Sequence, residues 1–211
     1  MLTWDESGSR RYETGTDRGV LYPYDPETKK YTAGIAWNGL TGVTDSPEGG
    51  DPNDIWADNM KYGTIRGAET AGGTIEAYTY PDEFELCDGS AEISNGITIG
   101  QQERQTFGFS YRSMIGNDMD PDAGYKIHIY YGCTCSPSSK DYATINDNPD
   151  AIQFSWDFTA NPVNVEDHKP TATLVIDSTK VTANTLTAIE NALYNGTTLP
   201  LPDDILDLVT A

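Results

Sequence analysis

The chain has 211 residues, and its 33 acidic against 13 basic side chains give a formal charge of −20. That sign excludes a protein that grips nucleic acid by its phosphates and disfavours an anionic membrane surface; it leaves open a surface that DNA slides past. No run approaches the roughly 20 apolar residues that span a bilayer, the start Met1-Leu2-Thr3-Trp4-Asp5-Glu6 lacks the basic and apolar regions of a leader, and three cysteines are too few and odd in number for a disulfide framework.

Residues 1–19 are polar and read as an N-terminal arm. Val20-Leu21-Tyr22 is a short strand closed by Pro23 and Asp25-Pro26. Tyr31, Ala33, Ile35 and Trp37 recur at strand spacing. Residues 38–58 then lose the pattern under Gly39, Gly42, Pro47, Gly49, Gly50 and Pro52, which predicts a long connection of the kind that carries function. Ile55 and Trp56 have no use in a solvated loop, so the segment is expected to dock on a partner subunit.

Residues 59–69 and 71–80 are the next strands. The second ends at Pro81, which cannot donate to a ladder. An acidic turn follows, with Asp82, Glu83, Glu85 and Asp88 around Phe84, Leu86 and Cys87. It is expected to be a subunit contact with Phe84 as an anchor. Residues 92–99 form a weak strand, and 104–112 a clear one, with Phe107, Phe109 and Tyr111 facing one way and Thr106, Gly108 and Ser110 the other. After the loop 113–124, residues 125–131 alternate again. In 151–159, Ile152, Phe154, Trp156 and Phe158 oppose Gln153, Ser155, Asp157 and Thr159; 171–177 is a further strand. Leu186, Ile189 and Leu193 recur at helical spacing after a Thr182 cap and before Gly196, giving a helix over 182–195. The tail 198–211 mixes apolar and acidic residues after Pro200 and Pro202, and its Leu206 and Leu208 suit a subunit boundary. Short strands separated by Gly/Pro/Asp turns, with one late helix, predict a mainly β fold, a sandwich or barrel-like domain over 20–197.

Residues with catalytic or ligating chemistry form no complete motif. Asp118, Asp120 and Asp122 begin like a calcium loop, but Ala123 and Ile129 stand where the EF-hand needs Gly and Glu. His128, Cys133 and Cys135 lack a fourth zinc ligand, and His168 is the only other histidine; the thiols are expected to be small buried side chains. Glu76 with Asp82 or Glu83 is an unspecific carboxylate pair. There is no Gly-x-Ser-x-Gly elbow and no phosphate or dinucleotide fingerprint. Neither a metal nor a cofactor is expected. The polar face of Gln153, Ser155, Asp157 and Thr159, with Thr106, Ser110 and Glu76, suits either a solvated sheet surface or the wall of an aqueous pore without cations.

GTIEAYTYPDEFELCDGS at 73–90, FGFSYRSMIGND at 107–118, GYKIHIYYG at 124–132, and LVIDSTKV at 174–181 ahead of a helix and an LPLPDDI tail resemble the major tail (tail tube) proteins of long-tailed, non-contractile bacteriophages. The resemblance implies a β-sandwich protomer with a flanking helix, long loop and terminal arms. It also implies hexameric rings stacked into a tube, with strands closing a barrel across subunits. Expected partners are copies of the chain itself, other tail proteins at the tube ends, and the tape measure protein and DNA within the lumen, with no membrane. The expected location is the virion, after assembly in the host cytoplasm. No catalytic residues are implied. On this reading the seven polar-face residues line the lumen, and Ile55, Trp56, Asp82, Glu83, Phe84, Leu206 and Leu208 are subunit contacts. The alternative is a stand-alone carbohydrate- or host-binding module using Trp4, Trp37 or Trp56; an acidic hydrolase is a third reading.

Overall fold

The computed structural model describes residues 3–145 and 150–210; the extreme ends of both predicted arms lie outside them. The fold is mainly β, as expected. Ten strands form one antiparallel sheet. Its main path runs from β2 (Lys30–Tyr31) to β1 (Tyr12–Asp25), β11 (Phe107–Gly116), β12 (Gly124–Cys135), β13 (Phe154–Ala160), β8 (Glu69–Ala77) and β4 (Leu40–Asp45). β3 (Ile35–Trp37) adds to β1, β5 (Glu48–Gly49) to β8, and β14 (Thr173–Asp177) to β12.

The sheet wraps on itself. β3 pairs with β1 at one end of the strand order and β4 pairs with β8 at the other, yet only Asn38 and Gly39 separate them in sequence. The segment Ile35–Asp45 therefore bridges the two ends and draws the sheet into a nearly closed barrel. Inside lie Leu21, Ile75, Phe109, Tyr130, Trp156 and Phe158. Alternate residues point outward into a second core with Val20, Tyr22, Ile127, Ile129, Tyr131 and Ile176. β12 serves both cores by changing parity. Gly132, at φ 60°, forms a bulge opposite Phe107–Phe109, so Cys133 and Cys135 turn inward where the preceding pattern would send them out.

Two C-terminal helices cover the second core. α2 (Ala183–Asn195) is the predicted helix; Thr182 caps it through the Thr185 amide, and Ile189 and Leu193 are its buried stripe. α3 (Pro202–Thr210) was not predicted as a helix. Asp204 Oδ2 accepts from the Leu201 amide at 2.8 Å, and Leu199 and Ile205 are buried against the body. The tail thus docks on its own chain through Leu199 and Ile205, while Leu201, Leu206 and Val209 stay exposed.

Other boundaries differ for physical reasons. β1 starts at Tyr12, inside the predicted arm, because Tyr12–Thr14 pair with Met114–Gly116 although their side chains are exposed. The predicted connection 38–58 holds β4, β5 and β6 (Pro52–Ala57). β6 pairs with β7 (Met60–Arg66) across a two-residue turn, Asp58 and Asn59, both at positive φ. The single strand expected at 92–99 is a second hairpin, β9 (Ala91–Ser94) with β10 (Ile97–Ile99). The acidic turn is one turn of 3₁₀ helix, Asp82–Phe84, running into α1 (Glu85–Asp88), which ends at Gly89.

Candidate functional site

The outer face of β4, β8 and β13 is an organised polar surface on the wrapped sheet. Trp156, Phe158, Ile75 and Ala77 turn inward, so Ser155, Asp157, Thr159, Thr74 and Glu76 point away from the core. Register places Ser155 opposite Glu76 and Asp157 opposite Thr74; Gly42 and Thr44 of β4 lie beside the same pair of β8 residues. Hydrogen bonds tie the rows together. Thr74 Oγ1 donates to Asp157 Oδ1 at 2.6 Å, and Gln153 Nε2 donates to Thr41 Oγ1 at 2.9 Å and Glu76 Oε2 at 3.2 Å. No lysine or arginine stands on these three strands.

Five of the seven residues singled out from sequence, Glu76, Gln153, Ser155, Asp157 and Thr159, come together here. The other two do not. Ser110 is buried, with its hydroxyl 3.4 Å from Tyr22 Oη beneath α2. The polar side of β11 is small because a helix layer covers it, not because water does. Thr106 sits half-buried just before β11, its carbonyl accepting from the Tyr24 amide. Ser110 therefore cannot line an aqueous wall of this chain, and Thr106 stands apart from the β4–β8–β13 face.

The expected subunit contacts divide in the same way. Ile55 and Trp56 are exposed on the β6–β7 hairpin together with Met60, Tyr62 and Ile65. Asp54 knots one side of the hairpin, accepting from Lys61 at 2.7 Å and Thr64 at 2.7 Å. Yet β6 and β7 make no substantial contact with any other described element. Asp82, Glu83 and Leu206 are exposed, and Leu208 is partly covered by the second core. Phe84 is a correction: it is fully buried, 4.5 Å from the Trp37 ring and 5.1 Å from the Trp156 ring, so it anchors its own fold rather than a neighbour. Trp37 is likewise buried, donating to the Thr79 carbonyl at 2.9 Å, and is not an exposed binding aromatic.

No protein family model matches the chain, and no curated protein does. Among solved structures it is similar to a chain of an extracellular contractile injection system, the PVC sheath–tube complex in its extended state. That match has 14% identity and a TM-score of 0.33, covering 76% of this chain and 88% of that one. A second similar chain is from the anti-feeding prophage cap, a tube-terminating cap, at 9% identity and a TM-score of 0.35, covering 84% and 95%. Likeness at this level does not establish a shared fold.

Sequence reasoning missed one cluster. At one end of the barrel, His128 stacks on Tyr111 with ring centroids 4.7 Å apart, and its Nε2 lies 2.9 Å from Ser113 Oγ. Ser113 also reaches Glu13, which is ion-paired with Lys126. Burial lowers the His128 pKa, Lys126 adds to that, and Glu13 and Asp45 oppose it. The signal missed was pairing: Ser113 fell in a predicted loop, and Glu13 in a predicted arm. Ser113 and His128 resemble a nucleophile and base, but Glu13 bonds the serine and not the imidazole, so the orienting third group of a triad is absent from its place. Burial raises the Cys87 thiol to about 12 and lifts those of Cys133 and Cys135 well above the ordinary range as well, which makes them poor nucleophiles. Among the described residues no group of three or more His, Cys, Asp or Glu could hold a metal.

Proposed function

We propose that this chain is a structural subunit of a bacteriophage tail tube, assembling as hexameric rings stacked around a lumen that conducts DNA. The observation that carries the proposal is the β6–β7 hairpin. An isolated two-stranded hairpin is marginal in water. This one extends outward from the β5–β8 pairing, exposes Trp56, Met60, Tyr62 and Ile65, and makes no substantial packing contact with any other described element. Such an element is explained by a neighbour that covers it. The sequence resemblance to tail tube proteins names the kind of assembly. The cation-free face of β4, β8 and β13 suits a wall past which DNA moves without phosphate–cation trapping. On this reading Glu76, Gln153, Ser155, Asp157 and Thr159 face the lumen. The protein acts by self-association and not by catalysis, within the virion, with tape measure protein and DNA inside the tube and other tail proteins at its ends.

The test is sedimentation and negative-stain microscopy of the purified chain over a concentration series. Rings or tubes are expected. A protein that stays monomeric at high concentration, or a stable monomer that binds glycans, contradicts the proposal.

A further inference from the structure

We infer that the tip of the β6–β7 hairpin of one copy seats in a defined cleft of the next copy, with Asp58 paired to Arg18. The inference rests on the tube-subunit reading and adds the receiving site and its chemistry. The cleft holds about 590 Å³ and lies between β1, the β3–β4 turn and the end of α2; this falls within the size range of pockets that take bound groups. Its walls combine Val20, Ala36, Leu40 and Tyr194, which suit an aromatic or thioether side chain, with the polar Asp17 and Asn38. Arg18 stands at its rim, 5.9 Å from the Tyr194 ring centroid.

Arg18 is set apart by its neighbours. It occupies a break in the β1–β11 register at φ 51°, a conformation that few non-glycine residues adopt. Asp17 beside it is already engaged by Arg112 through two hydrogen bonds of 2.9 and 2.7 Å. Arg18 has no carboxylate partner among the described residues. In a chain with 33 acidic side chains, an unpaired guanidinium beside an apolar cleft is fitted to an acidic and apolar visitor. The hairpin tip has that composition. Asp58 lies at the turn, without a salt bridge, flanked by exposed Trp56 and Met60.

The two surfaces are different parts of the molecule, and the hairpin makes no substantial contact with its own β1, β3 or α2. Joining hairpin to cleft is therefore a heterologous contact. Such contacts do not close as two-fold dimers; they continue into rings or filaments.

Charge reversal tests the pairing. Arg18→Asp should raise the concentration needed for assembly at least about tenfold, and Arg18→Asp with Asp58→Arg should return it to within about threefold of wild type. Arginine at position 58 enters a φ of 52°, nearly the value Arg18 already holds. Separately, Arg18→Cys with Asp58→Cys, treated with a short bis-maleimide because the ends of an Arg–Asp pair stand too far apart for a direct disulfide, should give a ladder of dimers, trimers and longer species on denaturing gels; the three native cysteines are buried. Assembly of Arg18→Asp at the wild-type concentration, failure of the charge swap to recover it, or the absence of a cross-linked ladder from assembled protein overturns this contact and leaves the tube reading standing. If the wild-type chain itself never assembles, both fall.

Discussion

Phe84→Ala gives the sharpest test of how the acidic turn is built. Phe84 is fully buried, and its ring meets Trp37, Trp156, Phe107 and Tyr80 at centroid distances of 4.5, 5.1, 5.6 and 6.2 Å. Four aromatic rings held by a barrel wall cannot collapse into the space left behind, so the substitution falls in the range of about 3–5 kcal/mol for a buried phenylalanine. That is a large share of the roughly 5–15 kcal/mol that holds a domain folded. Glu83→Ala, one residue away and exposed, should change stability by about 0.5 kcal/mol or less. Urea unfolding followed by tryptophan fluorescence reads both; with a slope of about 2 kcal/mol per molar, Phe84→Ala lowers the midpoint by roughly 1.5–2.5 M. The measurement should be made at concentrations where the protein is monomeric, since assembly adds its own stabilisation. A Phe84→Ala protein within about 1 kcal/mol of wild type that instead fails to assemble would refute the core assignment and return Phe84 to a subunit contact.

Three further predictions follow from particular atoms. A Cβ at Gly73 would collide with the Thr44 carbonyl oxygen, so Gly73→Ala should displace β4 and cost about 1–3 kcal/mol, while Gly63→Ala, in open space, should cost far less; thermal unfolding compares them. Burial depresses the folded-state pKa of His128 below 6.5, so its contribution to stability is complete above pH 6.5 and declines as pH falls below it; the urea midpoint should drop between pH 7 and 5, and His128→Asn should flatten the drop. Asp157→Lys should leave tube formation intact but cut DNA delivery by about tenfold or more, because a ring of lysines in the lumen holds phosphates; normal infectivity of that mutant would sink the lumen assignment.

The central strands were legible because each alternates between a packed and an unpacked side. Phe154, Trp156 and Phe158 opposite Ser155 and Asp157 leave little choice of face, and Thr182, Ile189 and Leu193 fix α2 by cap and period. The failures share a different cause. Gly108 and Ser110 look solvated because they are small and polar, but a side chain at 108 would meet Leu199, so smallness there makes room for the tail that folds over β11. The same alternation is produced by water on one side of a sheet and by a closely packed helix layer. The outer end of β1 carries Glu13, Thr14, Gly15, Thr16 and Asp17, and its strand character comes from pairing with β11, which no local pattern reveals. Within 38–58, glycine and proline obscured short strands whose partners lie farther along the chain. For the candidate face, Glu76 was reachable from sequence only as one acid among many; register with Ser155 is what places it.

A cryo-EM map of the assembled wild-type protein shows most directly which surface meets the lumen. Stacked hexameric rings are expected, with Glu76, Ser155, Asp157 and Thr159 on the bore and the β6–β7 hairpin inserted into an adjacent copy. Rings whose bore is formed by another face, with the β4–β8–β13 surface turned to the outside, would contradict the lumen assignment.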